Sequence, residues 1–205
     1  MISSSSRSRL YELRRDLAAA RRGADLLERK REVLLRETSR RASQLETMRI
    51  DVREQLTAAR KLLRIAEVEL GREGVAAAGL AQPLSCTFDK HDVAVMGVRF
   101  KEVRAKCQTY RPVYGPAGTR ASLDKAGAAF SALLPLLVEV AAEETALARL
   151  RMAVRKATKI VNALQKFILP QLESRIHTIV ASIEEEERDE AVRRKMRIAA
   201  HATSF

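Results

Sequence analysis

RLYELRRDLAAARRGADLLERKREVL, residues 9–34, is the stretch from which the fold follows. Leu10, Leu13, Leu17, Ala20, Ala24 and Leu27 recur there in alternating steps of three and four. An α-helix turns once every 3.6 residues, so this spacing lays the apolar side chains along one stripe, the seam of a left-handed coiled coil. No proline interrupts residues 9–72, and the seam resumes at Leu45, Met48, Val52, Leu56, Ala59, Leu63, Ala66 and Leu70. Two successive steps of four, from Met48 to Val52 to Leu56, form a stutter that unwinds the supercoil locally. Between the two runs the seam points Arg31, Thr38 and Arg41 inward, so that stretch is expected to be thinly packed or to face another subunit. A helix of this length spans roughly 100 Å at 1.5 Å per residue. It is stable in water only if another helix buries its stripe.

The partner lies in the last third of the chain. Leu147, Leu150, Val154, Ala157, Val161, Leu164 and Ile168 keep the same steps, and Leu172, Ile176, Ile179 and Ile183 continue them after one extra step of four. The slip coincides with Pro170, which lacks a backbone donor and crowds the carbonyl of Lys166, so a kink or register change within a continuing helix is expected. Gly127 and Pro135 suggest a less regular start, after an N-cap at Ser122.

Between the helices, Gly71, Gly74, Gly79 and Pro83 end the first one. The alternation through Val93, Val95, Val98 and Phe100 favours a short β-hairpin, and Pro112, Gly115, Pro116 and Gly118 mark a return loop. The expected fold class is predominantly all-α: a long antiparallel two-helix coiled coil with a small central insert containing a β-hairpin. Its expected divisions are a disordered segment at 1–8, a coiled-coil helix at 9–72, the insert at 73–121, a second coiled-coil helix at 122–199 and a short tail at 200–205. The two termini then share one end and the insert lies toward the other.

Composition agrees with a thin core. Aromatic residues are 4% of the 205 and tryptophan is absent, whereas compact cores draw much of their buried area from aromatics. The net charge is +12. Residues 7–72 carry 18 Lys/Arg against 11 Asp/Glu, residues 73–123 carry 7 against 4, and residues 124–205 carry 13 against 11. Positive charge is therefore spread along the chain and interleaved with acids, as on a solvated helical surface. Nucleic acid is not an expected partner, because single-strand and RNA binders add stacking aromatics to such a surface. A basic coiled-coil scaffold binding nucleic acid or another acidic partner is the competing reading. The start, MISSSSRSRL, lacks the apolar core of a signal peptide, and no segment is expected to cross a bilayer.

No phosphate-binding GxxxxGK[ST] occurs and no GxGxxG follows a strand. His91, His177 and His201 stand far apart, without metal-ligand spacing. Neither catalysis nor a cofactor or metal is expected. Glu184 to Glu187 followed by Arg188, Arg193, Arg194 and Lys195 reads as a solvated face with pairs three and four apart, or as a contact with a large partner. Cys86 and Cys107 are symmetric about Met96-Gly97. A turn there would bring them within reach of a disulfide, although two free thiols are the expectation for a reducing cytosol.

Several stretches resemble the D subunits of V-type and archaeal-type ATPases and ATP synthases. In residues 9–34 the resemblance rests on Arg9, Leu10, Leu13, Leu17, Ala20, Gly23, Leu26, Leu27, Lys30, Arg31 and Leu34. It continues in VMGV (95–98), in Leu123-Asp124 with Ala126 and Phe130, and in KATKIVNALQKFILP (156–170), where Val161, Asn162, Ala163, Leu164 and Pro170 match. Glu185, Glu187, Arg188, Arg193 and Lys195 follow. The family usually has an arginine where Lys159 or Ile160 stands and a glutamate where Gln165 stands, so no ionic contact at Gln165 is implied. The resemblance implies a non-catalytic central rotor shaft, cytoplasmic and joined to the membrane only through its complex. It further implies that the termini-bearing end, with Arg9, Glu187, Arg188, Arg193 and Lys195 as candidate contacts, sits inside a hexamer of catalytic and regulatory nucleotide-binding subunits. The opposite end would rest on the subunit capping the membrane rotor ring, with the small stalk F subunit alongside.

Overall fold

The computed structural model describes residues 2–82, 86–108, 110–115 and 120–202. In chain order these form helix α1 (Ile2–Ala81), strands β1 (Cys86–Val95) and β2 (Val98–Cys107), helix α2 (Ala121–Ala163), a π turn (Leu164–Ile168) and helix α3 (Leu169–Ala202). The fold is an antiparallel coiled coil with a central two-stranded hairpin. It divides into two compact units, Met1–Glu32 with Arg155–Phe205, and Val33–Val154.

In the first unit, Leu10, Leu13, Leu17, Ala20 and Leu27 are half-buried and Ala24 is buried. Facing them, Ala157 and Val161 are buried, and Leu164, Leu172, Ile176, Ile179 and Ile183 are half-buried. Ion pairs join Arg7 to Glu187 and Arg21 to Glu173, both at 2.7 Å, and Gln165 Nε2 donates to Glu28 Oε2 at 2.7 Å. Partners descend along one helix as they ascend along the other, which is the antiparallel register. These exposed pairs are worth about 0–1 kcal/mol each, so the apolar stripe holds the helices together.

In the second unit, Leu45, Val140 and Leu147 form a cluster against which Ala42, Met48 and Val52 pack. Farther along α1, Gly71 adopts φ 74°, ψ 158°, outside the helical region. Only glycine enters that region without a Cβ penalty. The chain turns there, and Ala78 comes to pack with Ala66 and Leu123. In the loop before α2, the Tyr110 ring lies so close to Gly127 that a Cβ at that position would overlap it. Ser122 does not cap α2; its Oγ donates to Glu69 Oε2 at 2.5 Å.

The hairpin turns at Met96 (φ 48°) and Gly97 (φ 82°). Positive φ at both central residues is the requirement of a two-residue type I′ turn, whose twist matches the flanking strands. The resulting register sets Val95 opposite Val98, Val93 opposite Phe100 and Cys86 opposite Cys107. Burial passes from Val98, Phe100 and Glu102 to Val103, Ala105 and Cys107 along β2. The inward face thus changes sides, as it does in a strongly twisted ribbon. Phe100 is 1% exposed and packs with Leu34, Ala146 and Leu150, joined by Val93, Val95 and Val98. Burying such a ring contributes about 2–3 kcal/mol.

Several expectations change. The tip of the hairpin packs at Leu34 and Leu150, before the turn at Gly71, so within its own unit the insert lies back along the helices. α1 is helical from Ile2, within the segment expected to be disordered, because extending a formed helix adds one hydrogen bond per residue fixed. Beyond Gly71 it resumes as far as Ala81. Cys86 and Cys107 are joined in a disulfide with Cα atoms 4.0 Å apart, because the two-residue turn sets them directly opposite. Helical residues Ala121–Ile198 also contain a window of mean hydropathy 1.5, long enough to cross a bilayer; Val140 and Leu147 of the same helix pack against Leu45. Pro83, Pro116, Gly118 and residues 203–205 lie outside the described residues.

Candidate functional site

Among the described residues, a dense cluster of charges falls where the coiled-coil seam is polar. Arg41 occupies a seam position of α1 and is 5% exposed. Its Nε donates to Glu37 at 2.7 Å, its Nη2 to Glu102 of β2 at 2.6 Å, and its Nη1 to both oxygens of Glu143 of α2 at 2.8 and 2.9 Å. The guanidinium carbon also lies 4.5 Å from the centroid of the Phe100 ring, a cation–π distance. Three carboxylates from three elements satisfy the planar donor fork. Burial alone would lower the Arg41 pKa, but the hydrogen bonds to Glu102, Glu37 and Glu143 outweigh it and raise the pKa. The Glu37 carboxyl is held down to about 2, chiefly by its hydrogen bond to Arg40 and then by Arg41, against the opposing effect of burial. Arg41 is therefore neither thinly packed nor turned toward another subunit: the chain's own hairpin covers it. Of its seam neighbours, Thr38 returns its hydroxyl to the Leu34 carbonyl, and half-buried Arg31 pairs with Glu28.

The residues singled out near the chain ends are arranged differently. Arg9, Glu187, Arg188, Arg193 and Lys195 are all exposed. Glu187 pairs with Arg7, Arg188 with Glu184 and Glu185, and Arg193 with Asp189 at 3.8 Å. Much of the charge there is thus balanced within the chain. The seam residues Leu45, Leu147, Leu150 and Val161 are buried, and Met48, Val52, Leu56, Leu63, Val154 and Leu164 are half-buried. Ile168 is 41% exposed. His91 is exposed and lies 3.2 Å from Asp89, and His177 is exposed.

Ile168 leaves the seam because of local backbone geometry. Over Leu164–Ile168 the helix widens into a π turn, and the amide of Leu169 donates to the Leu164 carbonyl, five residues back. Pro170 offers no amide to the carbonyl of Lys166, and the widened turn immediately precedes it. One additional residue is absorbed, which is why Leu172, Ile176, Ile179 and Ile183 return to the half-buried side. The run Val161, Asn162, Ala163 and Leu164 leads into this turn and Pro170 closes it, with Val161 buried, Ala163 half-buried and Asn162 exposed.

The family profile for the ATP synthase D subunit matches residues 9–198, from the first seam residues through the π turn to the last described side chains. The chain belongs to the ATP synthase D-subunit family. It is 32% identical over 187 residues to the V-type ATP synthase D subunit 2 of Treponema pallidum (strain Nichols), covering 90% of this chain and 88% of that protein. It is 32% identical to the V-type ATP synthase D subunit of Thermotoga neapolitana, covering 93% and 94% of the two chains, and 33% identical to that of Anaeromyxobacter dehalogenans, covering 96% and 95%. As a D subunit the chain is not itself catalytic. The Arg41–Phe100–Glu102 arrangement is a part of this D subunit that sequence reasoning missed. Its one local signal was the polar residues at seam positions 31, 38 and 41.

Proposed function

We infer that this chain is the central rotor shaft of a V-type ATPase/ATP synthase, transmitting torque between a nucleotide-binding hexamer and a membrane rotor ring. The observation that carries the reading is the family match over residues 9–198, coextensive with the paired helices. A shaft needs a stiff seam, and it needs a surface that differs from side to side. A hairpin fixed to one flank by Arg41 and Phe100 supplies such a difference. Rotation can then favour one nucleotide-site conformation over another only through contact free energies that change with angle. The partners in this reading are the catalytic and regulatory subunits of the hexamer, the small stalk F subunit and the subunit capping the rotor ring. The chain would be cytoplasmic and peripheral to the membrane, coupling ATP hydrolysis or synthesis to proton or sodium movement.

Affinity isolation of the tagged chain from native membranes tests this reading. The nucleotide-binding subunits should co-purify, and deletion of the chain should abolish ATP-driven ion pumping. Isolation without those subunits, or pumping that survives deletion, would overturn it.

A further inference from the structure

The Cys86–Cys107 bridge stands at the root of the hairpin, where Cys86 opens β1 and Cys107 ends β2. Two exposed hydrogen bonds lie beside it: Thr87 Oγ1 donates to the Lys106 carbonyl at 3.2 Å, and Gln82 Nε2 to the Arg111 carbonyl at 2.9 Å. Beyond the root, the Tyr110 ring lies against Gly127 and the Tyr114 hydroxyl donates to Asp124, both near the start of α2. The bridge is thus a covalent tie between the strand that follows α1 and the strand that leads to the contacts with α2.

Three features suit this bridge to opening and closing. Both cysteines are only half-buried, so a thiolate can reach them. Arg104, Lys106 and Arg111 flank Cys107, and no acidic residue lies between Glu102 and Asp124, which favours the approach of an anionic thiolate. The hairpin is also held without the bridge: Phe100 is 1% exposed, and Glu102 is bonded to Arg41 at 2.6 Å. That packing and the Met96-Gly97 turn fix the strand register, so the opened thiols stay opposite one another and can close again. In a reducing compartment a disulfide is ordinarily transient, serving catalysis or redox sensing.

We propose that Cys86 and Cys107 form a reversible thiol–disulfide exchange site, reduced by a protein dithiol and reoxidised by glutathione disulfide. Closed, it locks the root of the hairpin; open, it frees the root together with residues 110–115. In reduction, a thiolate of the dithiol attacks one Sγ of the bridge. The S–S bond breaks as a mixed disulfide forms, and the departing Sγ takes up a proton. The second thiolate of the reductant then displaces the remaining Sγ, so two electrons pass to the bridge and the reductant leaves as its own disulfide. In the reverse direction glutathione disulfide is reduced to two molecules of glutathione as the bridge forms. The proposal goes beyond the rotor-shaft reading, from which it takes only the reducing setting.

The test treats the full-length chain in native buffer with dithiothreitol or with a purified CxxC-type dithiol protein, and maleimide labelling counts the free thiols. Both cysteines should label while the far-UV circular dichroism stays unchanged, and glutathione disulfide should restore the bridge. Trypsin should cleave the reduced chain after Lys106 and Arg111 at least about tenfold faster than the bridged chain, because cleavage follows the population of the locally open form. Cleavage after Lys101, near the buried tip, should change little. C86S/C107S should behave like the reduced chain whether or not reductant is present. Labelling that requires denaturant would make the bridge a permanent structural one and overturn the proposal. Thiols that glutathione disulfide does not join, or equal cleavage of the two forms, would overturn it as well. The assay contains no partner subunit, so each of these results leaves the rotor-shaft reading intact, and failure of the nucleotide-binding subunits to co-purify leaves the exchange site intact.

Discussion

At the scale of single residues, Arg41 shows how a polar group on an apolar seam becomes an asset when its partners are brought to it. Removing one member of a buried ion network leaves the others desolvated and unpaired, which typically costs about 3–5 kcal/mol. The Glu37 carboxyl supplies a pH signature. Its pKa is lowered from 4.5 to about 2 in the folded chain. A carboxylate with a depressed folded pKa contributes stability that is present above the unfolded value and lost as pH falls through the folded one. Thermal melts should therefore show a loss of stability between about pH 4.5 and 2. Glu37→Gln should be the less stable protein at pH 7, and its gap to the wild type should close across that interval. A gap independent of pH would mean that Glu37 acts through packing alone. Met96 is a second residue under local constraint, because a side chain bearing a Cβ holds a positive φ in the hairpin turn, a position that Asn or Gly occupies more readily.

Among the elements, the hairpin is fastened unequally along its length. Near its tip Phe100 is buried and Glu102 is bonded to Arg41, whereas Thr87 to Asp92 of β1 are all exposed and the disulfide closes the base. Reduction of Cys86–Cys107 should accordingly loosen the base before the tip. Hydrogen exchange with and without a dithiol reductant should show acceleration over residues 86–92 and 103–107, with little change at 98–101; uniform acceleration would mean that the tip docking depends on the bridge. A chain-entropy estimate puts the stabilisation from a loop of this size at about 3 kcal/mol. The helices themselves were legible in the sequence because each seam residue announces itself through neighbours three and four positions away. The docking of the hairpin was not legible. It joins Arg41 to Glu102 and Glu143, 61 and 102 residues away, and no periodic pattern encodes where a twisted ribbon lies against a helix pair. For the cysteines, their symmetry about Met96-Gly97 pointed to the pairing, while the general rarity of cytosolic disulfides pointed away from it.

For the molecule as a whole, function depends on how its surface meets its surroundings. Reversing the charges of Arg193 and Lys195 should leave the purified chain helical, because both side chains are exposed. In vesicles carrying the assembled complex it should lower ATP-driven ion transport, and unchanged ATPase and transport would exclude a coupling contact there. The sequence pointed to this terminal cluster because charge runs are conspicuous. It did not show which charges are already neutralised within the chain, since that depends on partners such as Arg7 and Glu187, 180 positions apart. The π turn at Leu164–Ile168 carries a further consequence, for the chain's tolerance of insertions and deletions. One residue of α-helix corresponds to about 100° of rotation. Deleting a residue there, so that the wide turn closes to an ordinary one, would rephase everything downstream and swing Leu172, Ile176, Ile179 and Ile183 away from α1. The number of residues between Val161 and Leu172 is thus an indexing quantity, and length variation should be tolerated in the loops flanking the hairpin far more readily than in this segment.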